Sequence, residues 1–206
     1  MENLEEKHDF WIDYGKDNYA GVTWSNIPGS DGRKLSIGWM SNWLYAQEVP
    51  TEKWRSAMTI AREITLKQKD GTFRIFSLPV RELDKYKTTI FEKDQLSAGG
   101  SNIISEETDV DLSRAEISFE IPQLTNNRYE FYMTNKEGDT LRFGYDHREK
   151  QFFIDRKQSG LTDFNDDFAS NISTAPRTAD DDTLSVTILL DRTSIELFYD
   201  EGETVM

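Results

Sequence analysis

Ala115-Glu-Ile-Ser-Phe-Glu-Ile121 sets an apolar side chain at every second position, with Glu and Ser between. Successive side chains of a strand point to opposite faces, so this stretch predicts a strand with one face in a core and one in water. The pattern repeats on both sides of it. It appears at Tyr129, Phe131 and Met133, and at Leu141, Phe143 and Tyr145. It returns at Leu184, Val186, Ile188 and Leu190, and at Ile195, Leu197 and Tyr199. Turn formers stand between these runs: Asn126-Asn127, Glu137-Gly138-Asp139 and Asp191-Arg192. Short strands with frequent turns and no helical period predict an antiparallel β-sandwich.

The first part of the chain is also strand-like, over Phe10 to Tyr14, Tyr19 to Trp24 and Lys34 to Trp39. Pro28-Gly29-Ser30-Asp31-Gly32 predicts a turn joining the last two as a hairpin. Met58-Thr-Ile60 and Phe73-Arg-Ile-Phe76 continue the theme. Trp54, Ala57, Met58 and Ala61 fit a helical spacing, but Thr59, Ile60, Ile64 and Thr65 favour extended chain, and strand is the reading adopted. All five tryptophans (Trp11, Trp24, Trp39, Trp43, Trp54) fall in the first 54 of 206 residues, which marks two environments. The join is expected between Leu78-Pro79 and Lys85, giving units 1–83 and 84–206.

The charge of −14 disfavours polyanionic partners, so neither nucleic acid nor an anionic membrane surface is expected. No apolar run approaches the roughly 20 residues of a membrane span. MENLEEKHDF, the N-terminal stretch, lacks the apolar segment of a signal peptide. With no cysteine, thiolate chemistry and Cys-ligated zinc are excluded for this chain. His8 and His147 lie far apart without a zinc-binding spacing, so no metal and no cofactor are expected. Asp163-Phe-Asn-Asp-Asp167 and Asp180-Asp-Asp182 offer oxygen ligands but lack the pattern of a calcium loop, and read as solvated loops. Ala98-Gly99-Gly100-Ser101 is a glycine pair outside any phosphate-binding motif.

What remains is aromatic. Gly38 to Ile60, GWMSNWLYAQEVPTEKWRSAMTI, holds three tryptophans and a tyrosine interleaved with polar residues. Trp and Tyr rings stack on the C–H faces of sugars while polar neighbours bind hydroxyls. Trp39, Asn42, Trp43 and Tyr45 offer both functions, and core packing is the competing reading for each tryptophan singly. A strand continued past Met40 would put Trp39, Ser41 and Trp43 on one side and Asn42 on the other.

DYGKDNYAG (Asp13 to Gly21) followed by GRKLSIGWMSNWLYAQEVPTEKWRSAMTIARE (Gly32 to Glu63) resembles the last blade of the catalytic domain of glycoside hydrolase family 32, the invertases, inulinases and levanases. FIDRKQSG (Phe153 to Gly160) and LLDRTSIELFYDEGETVM (Leu189 to Met206) resemble that family's C-terminal sandwich. The resemblance implies an all-β protein: the last blade of a five-bladed β-propeller followed by an antiparallel β-sandwich. It implies cleavage of β-fructofuranosyl bonds in fructan or sucrose with retention, by an aspartate nucleophile, a glutamate acid/base and a second aspartate. Those residues sit in motifs resembling N-D-P-N-G, E-C and R-D-P, and none of the three occurs here. They are expected upstream of residue 1, and this chain by itself is expected to be inactive. The family also usually continues past GETVM with one more strand.

By the same resemblance Trp43 lines the fructosyl pocket, with Trp39 and Asn42 as neighbours. Asp13 and Lys16 resemble a pair near the leaving-group subsite, where Lys16 would hold Asp13 ionised toward a sugar hydroxyl. A surface ion pair between neighbours is the other reading. Ala61 departs from the family, which commonly has proline there. Polysaccharide-degrading members are often exported, which leaves localisation unknown for this chain. A blade without its neighbours exposes strand edges and an apolar face, so residues 1 to about 80 are expected to be less ordered or to self-associate through the open edge. The rival to the hydrolase reading is a stand-alone carbohydrate-binding or interaction module built on the sandwich.

Overall fold

The alternating runs of the second half pair as their spacing demands. A computed structural model describes residues 10–69, 71–96 and 111–206. His8 and Ala98–Ser101 lie outside the described residues. The strands of the second half are β6 (Ala115–Ile121), β7 (Arg128–Thr134), β8 (Thr140–Asp146), β9 (Gln151–Gln158), β10 (Ser173–Pro176), β11 (Leu184–Asp191), β12 (Ser194–Tyr199) and β13 (Thr204–Val205). A short helix, α1 (Asp166–Ala169), precedes β10. One antiparallel sheet runs β10-β9-β8-β7 and the other β13-β12-β11-β6.

Register turns these strands into a core. Ala175, Phe152, Tyr145 and Tyr129 lie opposite one another across the first sheet. Phe119, Val186 and Tyr199 do so across the second, with Ile117, Ile188 and Leu197 as the next row. The two faces meet through one hydrophobic cluster, in which the Phe152 and Tyr199 rings stack at 3.9 Å. Each large apolar side chain buried this way contributes on the order of 1.5–3 kcal/mol.

The first half forms a separate sheet of β1 (Tyr19–Thr23), β2 (Lys34–Met40), β3 (Ala57–Met58), β4 (Arg62–Lys69) and β5 (Thr72–Pro79). Its order is β1-β2-β4-β5, with β3 also on β2. The expected hairpin joins β1 to β2, closed by Asp31 N–H donating to the Pro28 carbonyl at 2.8 Å. The ambiguous segment is extended, with a break at residues 59–61 between β3 and β4. There Ile60 N–H donates to Glu196 Oε1 of β12 instead of to the sheet. A 3-10 turn, Arg81–Tyr86, follows β5.

Two expectations fail. Phe10 to Tyr14 is not a strand: Phe10, Trp11 and Ile12 are exposed, and the segment meets the sandwich through Tyr14 N–H donating to the Val205 carbonyl. The strand carrying Trp39 also stops at Met40, and residues 43–48 form turns.

The sheet of the first half packs on the sandwich along the end of the chain. Asp200, Glu201 and Gly202 take positive φ in succession, and Gly202, at φ +84°, passes against β5. A Cβ at Gly202 would stand 2.3 Å from the Ser77 carbonyl oxygen, so only glycine fits. Elsewhere part of the sheet is open to solvent. β1 is an exposed edge, and Val22, Leu66, Phe73 and Ile75 are exposed on its surface.

Candidate functional site

Strand β2 carries Trp39 between Tyr19 of β1 and Met58 of β3. The turn that follows folds Trp43 back onto it, with ring centroids 5.1 Å apart. Tyr19 meets both indoles edge-on, at 6.3 Å from Trp39 and 6.4 Å from Trp43. The result is a three-ring surface, and Trp43 is 64% exposed on it. An indole this open is not a core residue. Stacking on an apolar sugar face is the chemistry that such a surface supports.

Asn42 is structural in this structure. Its Nδ2 donates to the Lys16 carbonyl and its Oδ1 accepts from Leu44 N–H, each at 3.0 Å. It ties the 13–18 segment to the Trp43 turn. Lys16 Nζ donates to the Asp167 carbonyl at 2.7 Å. Burial, followed by the nearby Arg156 charge, lowers the Lys16 pKa.

Asp13 does not pair with Lys16. Its carboxylate is buried and accepts from Arg62 Nη1 at 2.7 Å, Asn18 Nδ2 at 3.0 Å and Gly15 N–H at 2.8 Å. Arg62 in turn donates to Glu196 Oε2 at 2.5 Å and lies over the Phe198 ring at 5.2 Å. Burial works to lower the Arg62 pKa, and the Asp13 and Glu196 charges outweigh it and raise it. The structure therefore gathers Trp39, Asn42, Trp43 and Lys16 and turns Asp13 into the junction with the sandwich.

Arg62 and Glu196 were not anticipated. A signal existed: in β12 the alternation that buries Leu197 and Tyr199 sends Glu196 and Phe198 to the other face. An outward phenylalanine beside a carboxylate marks a face that something covers. A second group, also unforeseen, joins Asp17, Tyr45 and Arg156. The Tyr45 hydroxyl donates to Asp17 Oδ1 at 2.6 Å and accepts from Arg156 Nη2 at 2.8 Å. Burial, reinforced by the Asp17 charge, raises the Tyr45 pKa.

The acidic runs are put to structural use. Asn165 caps α1 by accepting from Asp167 N–H, and the Asp181 carbonyl and carboxylate accept from buried Arg177. Among the described residues no three His, Cys, Asp or Glu are placed to hold a metal ion.

Comparison with known proteins matches this architecture. The model of the glycosyl hydrolases family 32 N-terminal domain matches residues 2–76, and that of the family 32 C-terminal domain matches residues 80–206. Levanase of Bacillus subtilis is 35% identical over 198 residues, covering 95% of this chain and 29% of the levanase. Extracellular exo-inulinase of Aspergillus awamori is 33% identical over 203 residues, covering 95% and 36%. The crystal structure of exo-inulinase from Aspergillus awamori superposes with a TM-score of 0.79 at 27% identity, over 95% of this chain and 38% of that one. The chain thus spans about a third of the length of the relatives it matches. Its last-blade sheet, its sandwich and the two family models that meet between residues 76 and 80 make this chain a member of glycoside hydrolase family 32.

Proposed function

We propose that residues 1–83 and 84–206 are the last propeller blade and the C-terminal sandwich of a β-fructofuranosidase. It hydrolyses fructosyl bonds of levan, inulin or sucrose with retention. The exposed Tyr19, Trp39 and Trp43 surface carries this reading. In it, Trp43 stacks on the fructosyl ring, and Lys16 and Asp13 hold the rim of the leaving-group side. Asp13 acts there through its buried carboxylate rather than by touching sugar. The two carboxyl groups of retaining hydrolysis stand about 5–5.5 Å apart across the bond, and no wall of aromatic residues substitutes for them. The reactive acids belong to the N-D-P-N-G, E-C and R-D-P motifs, which this sequence lacks. The bare faces of the first sheet and the edge strand β1 suit neighbouring blades, and in the 206-residue chain alone they favour self-association.

The test has two arms. The 206-residue chain incubated with levan, inulin and sucrose should release no fructose. A polypeptide that joins it to the three motifs should release β-fructose, seen by NMR before mutarotation. Fructose release by the short chain, or none by the longer one, overturns the proposal. Saturable binding of inulin or levan by the short chain would favour the stand-alone binding module instead.

A further inference from the structure

The Trp43 turn stands on little of its own. Within residues 42–49 it is closed by Tyr45 and Ala46 N–H donating to the Asn42 carbonyl, and by Glu48 and Val49 N–H donating to the Tyr45 carbonyl. Trp43 and Leu44 are exposed, yet Tyr45 beside them is 2% exposed. What buries Tyr45 comes from the sandwich. Phe168 packs edge-on to its ring at 5.2 Å and Phe164 at 6.5 Å. Asn165 Nδ2 donates to Glu48 Oε1 at 3.1 Å and toward the Leu44 carbonyl at 3.4 Å.

Arg156, near the end of β9, is the hub of this contact. Its Nε donates to the Phe168 carbonyl at 2.7 Å, and its Cζ lies 3.8 Å from the Phe168 ring centroid. Its other two nitrogens reach Asp17 and the Tyr45 hydroxyl. Asp17 follows Lys16, and Lys16 donates to the Asp167 carbonyl. Both segments that frame the three-ring surface, 16–17 and 42–48, are therefore fastened to one stretch of the sandwich, 156–168. This contact is separate from the one that seats β5 on Gly202.

We propose that the sandwich positions the substrate wall: Arg156, through Asp17 and Tyr45, fixes the turn that presents Trp43. This rests on the fructosidase reading of the Trp43 surface. Arg156 touches no substrate in this account, so it is a positioning residue. Stacking on Trp43 would hold substrate and transition state alike, and its loss appears in KM rather than in kcat.

Two measurements test it. In the 206-residue chain, Arg156→Gln should speed amide exchange at Tyr45, Ala46, Glu48 and Val49 by about tenfold or more, while the sandwich-core amides of Ile188 and Leu197 hold their rates. Tyr45→Phe keeps the ring and removes only the hydroxyl, and should give a smaller acceleration at the same amides. It also serves if Arg156→Gln folds poorly. In the longer polypeptide with the three motifs, Arg156→Gln should raise KM for sucrose or inulin by about fivefold to tenfold with kcat within about twofold. Arg156→Lys should recover part of that. Unchanged exchange at the turn, or equal acceleration of turn and core by both variants, overturns the positioning role. A turn-specific acceleration in a longer polypeptide that releases no fructose keeps the clamp and overturns the fructosidase reading. A fall in kcat at constant KM overturns the assignment of Arg156 to wall positioning.

Discussion

Phe143 and Phe73 both sit in strands, and both were read as apolar members of strand segments. Phe143 is 0% exposed between the two sheets of the sandwich, whereas Phe73 is 65% exposed on the sheet of the first half. Sequence pattern specifies that a strand forms and which way each residue points; it does not say what lies over the face. The sandwich supplies its own cover because two amphipathic sheets meet. Among the described residues the first sheet is covered where the sandwich meets it, at Gly202 against β5 and at Glu196 and Phe198 against Arg62, and Phe73 stays exposed. Phe143→Ala should cost about 3–5 kcal/mol, the loss expected when a buried aromatic leaves a cavity. Phe73→Ala should change stability by no more than about 0.5 kcal/mol, as for an exposed site. Urea unfolding of the 206-residue chain measures both. Equal losses would break the comparison. If the proposed longer polypeptide lays a neighbouring blade on that face, the cost of Phe73→Ala in it should rise toward the Phe143→Ala value.

The junction between the two halves differs from both, since it is polar and buried. Arg62→Met leaves the buried Asp13 and Glu196 carboxylates without their shared countercharge. Removing one member of a buried ionic group commonly costs about 3–5 kcal/mol. The lower end is expected here. Asp13 keeps Gly15 N–H and Asn18 as donors, and Glu196 keeps Ile60 N–H. The same urea titration reads the loss. Adding Asp13→Asn and Glu196→Gln to Arg62→Met should recover part of it, because the stranded charges are then gone. Failure of the triple variant to exceed Arg62→Met in stability would mean that packing, not charge, is what Arg62 supplies.

Local and long-range features were legible to different degrees. The β6, β8, β11 and β12 strands were plain, because alternation and turn residues are local signals. The hairpin at Pro28–Gly32 was plain for the same reason. The Trp43 turn was not, because nothing between Met40 and Trp43 forbids an extended chain; the strand ends where Asn42 finds the Lys16 and Leu44 backbone. Asp13 is paired with Lys16 in the sequence on the resemblance of DYGK to a family pair, and nothing local contradicts that pairing. Its partner Arg62 lies 49 residues away, and Glu196 lies 134 beyond that. A sequence shows which charges exist, and burial at the junction decides which of them pair. The clustering of Trp39, Trp43 and Tyr45 with polar residues between them is local and legible, though core packing competes with it for each tryptophan; the fastening of the turn through Arg156 spans 111 residues to Tyr45 and 139 to Asp17.

The smallest expected effect lies at the surface of the first half, and it concerns acid. Arg33 joins the β1–β2 loop to the 3-10 turn. It donates to Asp31 Oδ1 at 2.6 Å and to Glu82 Oε1 at 2.7 Å. The Arg33 hydrogen bonds hold Asp31 down from its ordinary 3.8 to about 2, and Glu82 down from its ordinary 4.5 to about 2. A carboxylate with a depressed folded pKa stabilises above its unfolded value and loses that contribution as pH falls through the folded one. The window is therefore from about 4.5 down to about 2. Arg33→Gln should lower Tm slightly at about pH 6, and the gap from the unmodified chain should close at about pH 2. Both carboxylates are partly solvent-exposed, so the gap at pH 6 should also shrink with added salt. The junction around Arg62 should respond far less to salt, because its three side chains are buried away from the counterions. A salt response of equal size at Arg33→Gln and Arg62→Met would erase the distinction between the surface network and the buried one.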